Sequence, residues 1–359
     1  MRNGFIDIIK FIYAIVIVLL HSHVLGNFGY KEYTIMGGGY VAVELFFIIS
    51  GFLMAKHLNQ NIKKIDDVVF STLNFIKRKI EIILPFYLVA FFICFFIIHI
   101  PNRMNINLLM EDMLKTSLDF FLLTASGLKW LNPVGPAWYI SAMLFTMLIF
   151  YPIMISYKNK FTFIFAPILV CFLYGFILQT RHNISAATVF QGFVYVGVLR
   201  SIAGIALGCI CYEVSNKMKN LEFTKIGKAL ISFIEVGLYS ISLYLMQKYQ
   251  FSKIDFIIIF MFAVAVTFSF SEKTYTKYIK SPTILNKLSL NIYLVHGALI
   301  GLVNRIFIHK SYIEKLYIYI ILALTLSFVV CKLGDSLKKQ YINNKDNLKN
   351  YFLKNKEEL

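Results

Sequence analysis

Charge is what this sequence of 359 residues lacks most: only 15% of it is Asp, Glu, Lys or Arg. A soluble domain carries about 25%, so an ordinary water-soluble protein is excluded. The shortage is one-sided, with 19 acidic residues against 36 basic ones. Seven prolines and 19 glycines are too few for a fibrous or low-complexity chain. Cysteine is sparse as well. Cys94, Cys171, Cys209, Cys211 and Cys331 all fall inside apolar runs, as small buried hydrophobes and without a disulfide framework or a metal site. What the chain has in excess is apolar: 58% of residues are hydrophobic, with 35 Phe and 22 Tyr, which excludes disorder.

Runs of about 20 apolar residues recur from end to end, the length a helix needs to cross a bilayer. The sequence therefore predicts an all-α polytopic membrane protein with about ten spans in one bundle. Their limits are 5–25, 40–57, 80–100, 136–157, 161–179, 195–215, 227–247, 254–272, 287–309 and 313–336. Segment 108–124 is apolar too, but Glu111, Asp112, Lys115 and Asp119 make it an interfacial or re-entrant helix. The first run follows a basic residue like a signal peptide. Lys10 interrupts it and no small-x-small cleavage site follows His21-Ser-His23, so it is read as a retained helix. The bundle occupies 1–337, with a short polar cytoplasmic tail over 338–359; no second domain or repeat is evident.

A net charge of +17 raises the question of nucleic acid. Placement answers it: the basic residues sit in short stretches between apolar runs, with no basic amphipathic face and no zinc or helix-turn-helix spacing, so no nucleic-acid partner is expected. With the N-terminus inside, 24 of the 36 Lys and Arg fall in interior segments and 10 in exterior ones, leaving Lys10 and Arg200 within helices. The positive-inside rule then puts both termini in the cytoplasm, and the charge reads as topology and contact with anionic membrane lipid.

Ionisable side chains inside spans are costly and face the bundle interior. They are few: Lys10, His21, Glu44, Arg200, Glu235 and His296, with Arg78 at a helix entrance. Lys10 and His21 are eleven residues apart. Eleven steps of 100° return to nearly the same helix face about 16 Å further along, whereas His23 points away. Glu44, Arg200 and Trp138 fall in the outer half with His21, while Lys10, Arg78, Tyr293 and His296 fall in the inner half. A basic group near the cytoplasm and an imidazole near the exterior suit an elongated anionic ligand such as an acyl-CoA. Lys10 and Arg78 would hold its phosphates. His21 would take the proton of an acceptor hydroxyl, with Glu44 orienting the imidazole as in a triad. Each residue also has a plainer reading: helix–helix hydrogen bonding for His21 and His296, a counter-ion for Glu44 or Arg200, a belt anchor for Trp138. Glu235 is assigned to structure. Gly37-Gly38-Gly39 lacks the strand and helix of a phosphate loop.

These residues lie in stretches that resemble the membrane-bound acyltransferase-3 family. Val41-Ala-Val-Glu44-Leu-Phe46-Phe47-Ile-Ile-Ser50-Gly51-Phe52-Leu53 resembles its second-helix signature, and Lys10 to His21 its first-helix pairing of a basic residue with a His. Phe75-Ile-Lys77-Arg78-Lys79 followed by Pro85-Phe-Tyr87 resembles its basic third-helix entrance. Pro136-Ala-Trp138-Tyr139-Ile-Ser141 resembles its Trp motif, Arg200 with Gly204 and Gly208 its Arg-and-Gly helix, and Leu288-Ser289-Leu-Asn291-Ile292-Tyr293-Leu294-Val-His296 its late His motif. The pieces run in family order from residue 1 to about 300. Three positions depart from the common pattern: Lys10 where Arg is frequent, Met143 where a Glu is frequent, and Glu81 where a second Arg is frequent. The extracytoplasmic hydrolase-like domain of some relatives is also missing.

The resemblance implies an acyl donor reached from the cytoplasm, an acceptor modified at the outer face, and His21 as the residue essential for transfer. The expectation is an acyl-CoA-dependent O-acyltransferase, with acetyl the commonest group, acting in the cytoplasmic membrane of a bacterium on a surface glycan or lipid-linked precursor. His21 and Glu44 would be catalytic, Lys10 and Arg78 would bind the donor, and Ser50, Trp138, Arg200, Tyr293 and His296 would line the substrate channel. Acyl-CoA would be a co-substrate with no bound cofactor, and no metal is expected. Two other classes fit ten spans with buried charges: a secondary transporter or flippase for a sugar or lipid, and a non-catalytic glycan-assembly protein. Turnover of acyl-CoA separates the first from the enzyme, and an intact function in His21→Ala separates the second.

Overall fold

A computed structural model describes residues 3–26, 34–62, 65–99, 106–128 and 132–357, with side chains to 344. Of the basic residues counted above, Arg2, Lys31, Lys63, Lys64, Arg103 and Lys129 lie outside the described residues, as do the side chains of Lys345, Lys349, Lys354 and Lys356.

The chain is an all-α membrane protein. Among the described residues, ten helices of 16 residues or more correspond one to one with the ten predicted spans: α1 (Gly4–His21), α2 (Ala42–Asn61), α3 (Val68–His99), α6 (Trp138–Lys160), α7 (Ala166–Arg181), α8 (Val196–Met218), α9 (Lys225–Lys248), α10 (Ile254–Phe270), α11 (Thr283–Ile306) and α12 (Tyr312–Glu357). Two shorter helices, α4 (Ile106–Lys115) and α5 (Ser117–Phe120), occupy the amphipathic segment, and α4 buries none of its residues. One two-stranded antiparallel ribbon pairs Phe190–Gln191 (β1) with Val194–Tyr195 (β2). Seven stretches are long and apolar enough to cross a membrane, one of them, Gly135–Arg181, holding both α6 and α7. The two helices outside those stretches have simple reasons to fall short. α10 is apolar but only 17 residues long, and α11 carries Asn286, Lys287, Ser289, Asn291 and His296 toward the bundle between α1, α3 and α12.

Local chemistry sets the helix limits. Asn3 caps α1 by accepting from the Ile6 N–H at 3.1 Å, and a 3-10 turn over Ser22–Leu25 completes the first span. α3 begins twelve residues before the predicted span, because Asp67 accepts from the Phe70 N–H at 2.9 Å and the helix runs on through Lys77-Arg78-Lys79. Hydropathy stops at those charges, but helical hydrogen bonding does not. Between α6 and α7 the chain turns back through a kink at Tyr157 (φ −136°, ψ 39°) and a π-helical stretch, Phe161–Phe165. The ring centroids of Phe150 and Phe161 are 4.8 Å apart, whereas eleven residues of straight helix would put them about 16 Å apart. α12 continues without a break across position 337.

The tightest crossing joins α2 to α8. A Cβ on Gly51 would strike the Ile205 carbonyl oxygen, and one on Gly208 would lie 2.8 Å from the Phe52 nitrogen. Small residues allow this backbone approach, which replaces the hydrophobic drive that lipid does not supply. The crossing brings Glu44 of α2 beside Arg200 of α8.

Candidate functional site

Two cavities divide the bundle between a Lys10 end and a His21 end. The one at the His21 end, termed outer after the predicted orientation and about 610 Å³, is walled by His21 with Ile17 and Leu20 of α1, Tyr40, Trp138 after Pro136, Arg200, and Tyr293 with His296 of α11. The loop residues Ala186, Ala187 and Thr188 close it from a further side. The inner one, about 230 Å³, is walled by Lys10, Ser50, Tyr139, Asn286 and Ser289 among apolar side chains. Val43 and Tyr293 line both. The α1 stripe predicted from the sequence is therefore real in space: Lys10 faces one chamber and His21 the other.

His21 is the last residue of α1, and its Nδ1 lies 2.8 Å from the Ile17 carbonyl oxygen. A carbonyl only accepts, so Nδ1 carries the proton and Nε2 of the neutral ring is a bare lone pair. The negative end of the α1 dipole favours a positive charge at this position. His296, expected in the inner half with Lys10, instead lines the outer cavity because the middle of α11 packs beside the end of α1, and it repeats the arrangement: Nδ1 meets the Tyr293 carbonyl oxygen at 2.7 Å and the Ile292 oxygen at 3.2 Å. Its side chain is completely buried, and its Nε2 has no hydrogen-bond partner. The two imidazole centroids are 5.0 Å apart. His23 lies outside the cavity, exposed, with Nδ1 turned to the Leu20 oxygen at 2.7 Å.

Glu44 does not orient His21, contrary to the sequence expectation. One carboxylate oxygen pairs with Arg200 Nε at 2.6 Å and the other accepts from the Tyr174 hydroxyl at 2.5 Å. The physical reason is the α2–α8 crossing, which sets a desolvated guanidinium against the carboxylate and commits both oxygens. Arg200 also donates to the Tyr40 carbonyl at 3.0 Å and lies 5.4 Å from the Trp138 ring centroid. It is thereby fixed on three sides at the wall of the outer cavity. Trp138 in turn packs on Gly197, where a Cβ would lie 2.7 Å from the ring. Asp255, which was not singled out in the sequence, holds the outer wall by accepting from Tyr40 OH at 3.0 and 3.1 Å and from the Ile184 N–H at 3.1 Å.

On the inner side, Lys10 is paired with Asp7 at 3.0 Å and bonded to Asn286, so its charge is shared with a neighbour that sequence reading passed over. Ser50 meets the Tyr139 hydroxyl at 3.2 Å. Arg78 is exposed on α3 and is no part of either wall. It is Lys79, half-buried over the Phe75 ring at 5.5 Å, that lies within electrostatic reach of Lys10. The Lys77-Arg78-Lys79 triplet marked the place, but only the helix phase of α3 decides which member faces inward. Glu235 lies apart from both cavities, buried and accepting from Ser269 at 2.6 Å and Thr276 at 2.8 Å, in keeping with its structural assignment.

The outer cavity thus holds two imidazoles with free Nε2 atoms, an anchored guanidinium and an indole face, and it adjoins a narrower chamber with a lysine. Such a set suits proton transfer from a hydroxyl beside a polarised carbonyl. A family model described as an acyltransferase domain matches residues 3–332. No curated protein and no solved structure matches the chain.

Proposed function

The chain belongs to the acyltransferase-3 family of membrane acyltransferases, and from that premise we propose that it transfers an acyl group, acetyl in the simplest case, from acyl-CoA to a hydroxyl of a surface glycan or its lipid-linked precursor. The observation that carries the reading is the pair of cavities sharing Val43 and Tyr293, with Lys10 in one and the free Nε2 of His21 bordering the other. An acyl-CoA entering from the Lys10 side keeps its phosphates near Lys10 and Lys79 and extends its pantetheine arm past Tyr293. The acceptor enters the wider chamber from the opposite, extracytoplasmic side of a bacterial cytoplasmic membrane.

His21 Nε2 takes the proton as the acceptor hydroxyl oxygen forms its bond to the thioester carbonyl carbon. The imidazolium is stabilised by the Ile17 carbonyl and the C-terminus of α1, which stand where a triad places a carboxylate. Collapse breaks the carbon–sulfur bond, and the leaving thiolate takes the proton from His21. The products are the ester and free CoA. Arg200, fixed by Glu44 and Tyr40, offers its cavity-facing edge to the carbonyl oxygen as charge builds there. Trp138 gives the acceptor ring an apolar face.

The test is the O-acyl mass of surface glycan in three strains: one lacking the protein, one with wild type, and one with His21→Ala at matched membrane abundance. Loss of an acyl mass in the first and third strains, restored by wild type alone, is expected and identifies both acyl group and acceptor. Identical glycan in all three overturns the acceptor class. Full restoration by His21→Ala overturns the assigned base.

A further inference from the structure

The completely buried Nε2 of His296 is an acceptor with no donor, in a wall where every other polar group named above has a partner or a role. Leaving such an atom unmet costs about as much as a lost hydrogen bond. The Tyr293 carbonyl fixes the tautomer by engaging Nδ1, so the ring cannot donate from Nε2 without becoming charged. His21 does not supply the missing donor, because no hydrogen bond joins the two rings among the described residues. What fits is a neutral hydroxyl brought by the ligand. His21 also presents a bare Nε2, from a ring 5.0 Å away. Two lone pairs on rings 5.0 Å apart, one at the end of α1 and one in the middle of α11, suit two hydroxyls on adjacent carbons.

We propose that the site reads a vicinal diol: one hydroxyl gives its proton to His21 and attacks, while its neighbour donates to His296 Nε2 and sets the position of attack. This inference rests on the acyl-transfer reading above and narrows it. An acceptor sugar residue must carry a free hydroxyl next to the one acylated, and a residue already substituted at that neighbour is refused. His296 is then a substrate-binding residue that selects the acceptor.

The experiment uses the full-length protein in membrane vesicles, with labelled acetyl-CoA and the glycan acceptor of those membranes. cis-1,2-Cyclohexanediol and cyclohexanol serve as competing probes that differ by one hydroxyl. In wild type the diol should inhibit labelling with a constant about tenfold lower than the mono-alcohol, the discrimination expected when a buried polar group is met or left unmet. His296→Phe, which keeps a ring but loses the acceptor, should bring the two constants together. His296→Gln, which keeps an acceptor oxygen, should preserve part of the difference. Equal inhibition by the two probes in wild type, or none by either, overturns the diol reading, as does a difference that persists undiminished in His296→Phe. The wild-type comparison decides even where His296→Phe does not fold. Failure of the parent reading looks different: wild-type vesicles would then transfer no label to any glycan.

Discussion

Replacing Glu44 by Gln should destabilise the bundle through Arg200 rather than disturb His21. Glu44 is completely buried and the Arg200 side chain is 2% exposed, so loss of the carboxylate charge leaves a desolvated guanidinium whose remaining partners are a backbone carbonyl and an indole face. Breaking a buried pair by removing one partner costs about 3–5 kcal/mol. Arg200→Met should cost a similar amount by stranding the carboxylate with Tyr174 alone. The double variant Glu44→Gln/Arg200→Met removes both charges, so its loss should fall short of the sum of the single losses by about 2–3 kcal/mol, the upper range for residues in direct contact. Thermal unfolding of the four purified proteins in one detergent measures this, with both single variants melting several degrees below wild type and the double variant falling by less than the two single drops added together. The pH profile of residual transfer supplies a second readout. If Glu44 oriented His21, Glu44→Gln would shift the profile; paired to Arg200, it lowers the rate without moving it. Additive losses in the cycle, or a shifted profile, would refute the pairing argument.

The remaining expectations follow from the same geometry. Gly208→Ala should lower the melting temperature far more than Gly301→Ala, since a Cβ on Gly208 meets the α2 backbone and one on Gly301 meets nothing within 4 Å; equal effects would mean that the α2–α8 crossing yields freely. Lys79→Ala should raise the KM for acyl-CoA several-fold with little change in kcat, while Arg78→Ala changes neither, because only Lys79 turns toward Lys10; steady-state kinetics in vesicles decides. The His99 imidazole, 2.8 Å from Asp112, holds that carboxyl below its ordinary value. A depressed carboxyl gives stability that is present above the unfolded value and lost as pH falls through the folded one. Hydrogen exchange over 106–115 should therefore stay slow from pH 7 to 5 and quicken only below about pH 3.9; quickening between pH 7 and 5 would rule this latch out.

Which features were legible in the sequence depends on whether they are local to one helix. A span is legible because every backbone hydrogen bond in it closes within the segment, so length and apolarity suffice. The ten helices follow from that alone, including α10 at its short length. The Lys10–His21 stripe is legible for the same reason, since both residues share one helix and its period places them. Asp7 was within reach too, three residues before Lys10 on the same face, and it changes what Lys10 has left to offer a phosphate. Partnerships between helices are of another kind. Glu44, Tyr174 and Arg200 lie 130 and 156 residues apart in sequence, and no periodicity within α2 indicates that α8 supplies its counter-ion. Gly51 and Gly208 mark a close approach without naming what approaches. Phase is the intermediate case. Lys77-Arg78-Lys79 announces a basic rim, but a helix that begins at Val68 instead of residue 80 half-buries Lys79 within reach of Lys10 and leaves Arg78 exposed. The catalytic reading inherits this division. The proposed base stands out on its own helix, whereas the group placed to steady its charge is not Glu44, which pairs with Arg200, but the end of the helix that carries His21.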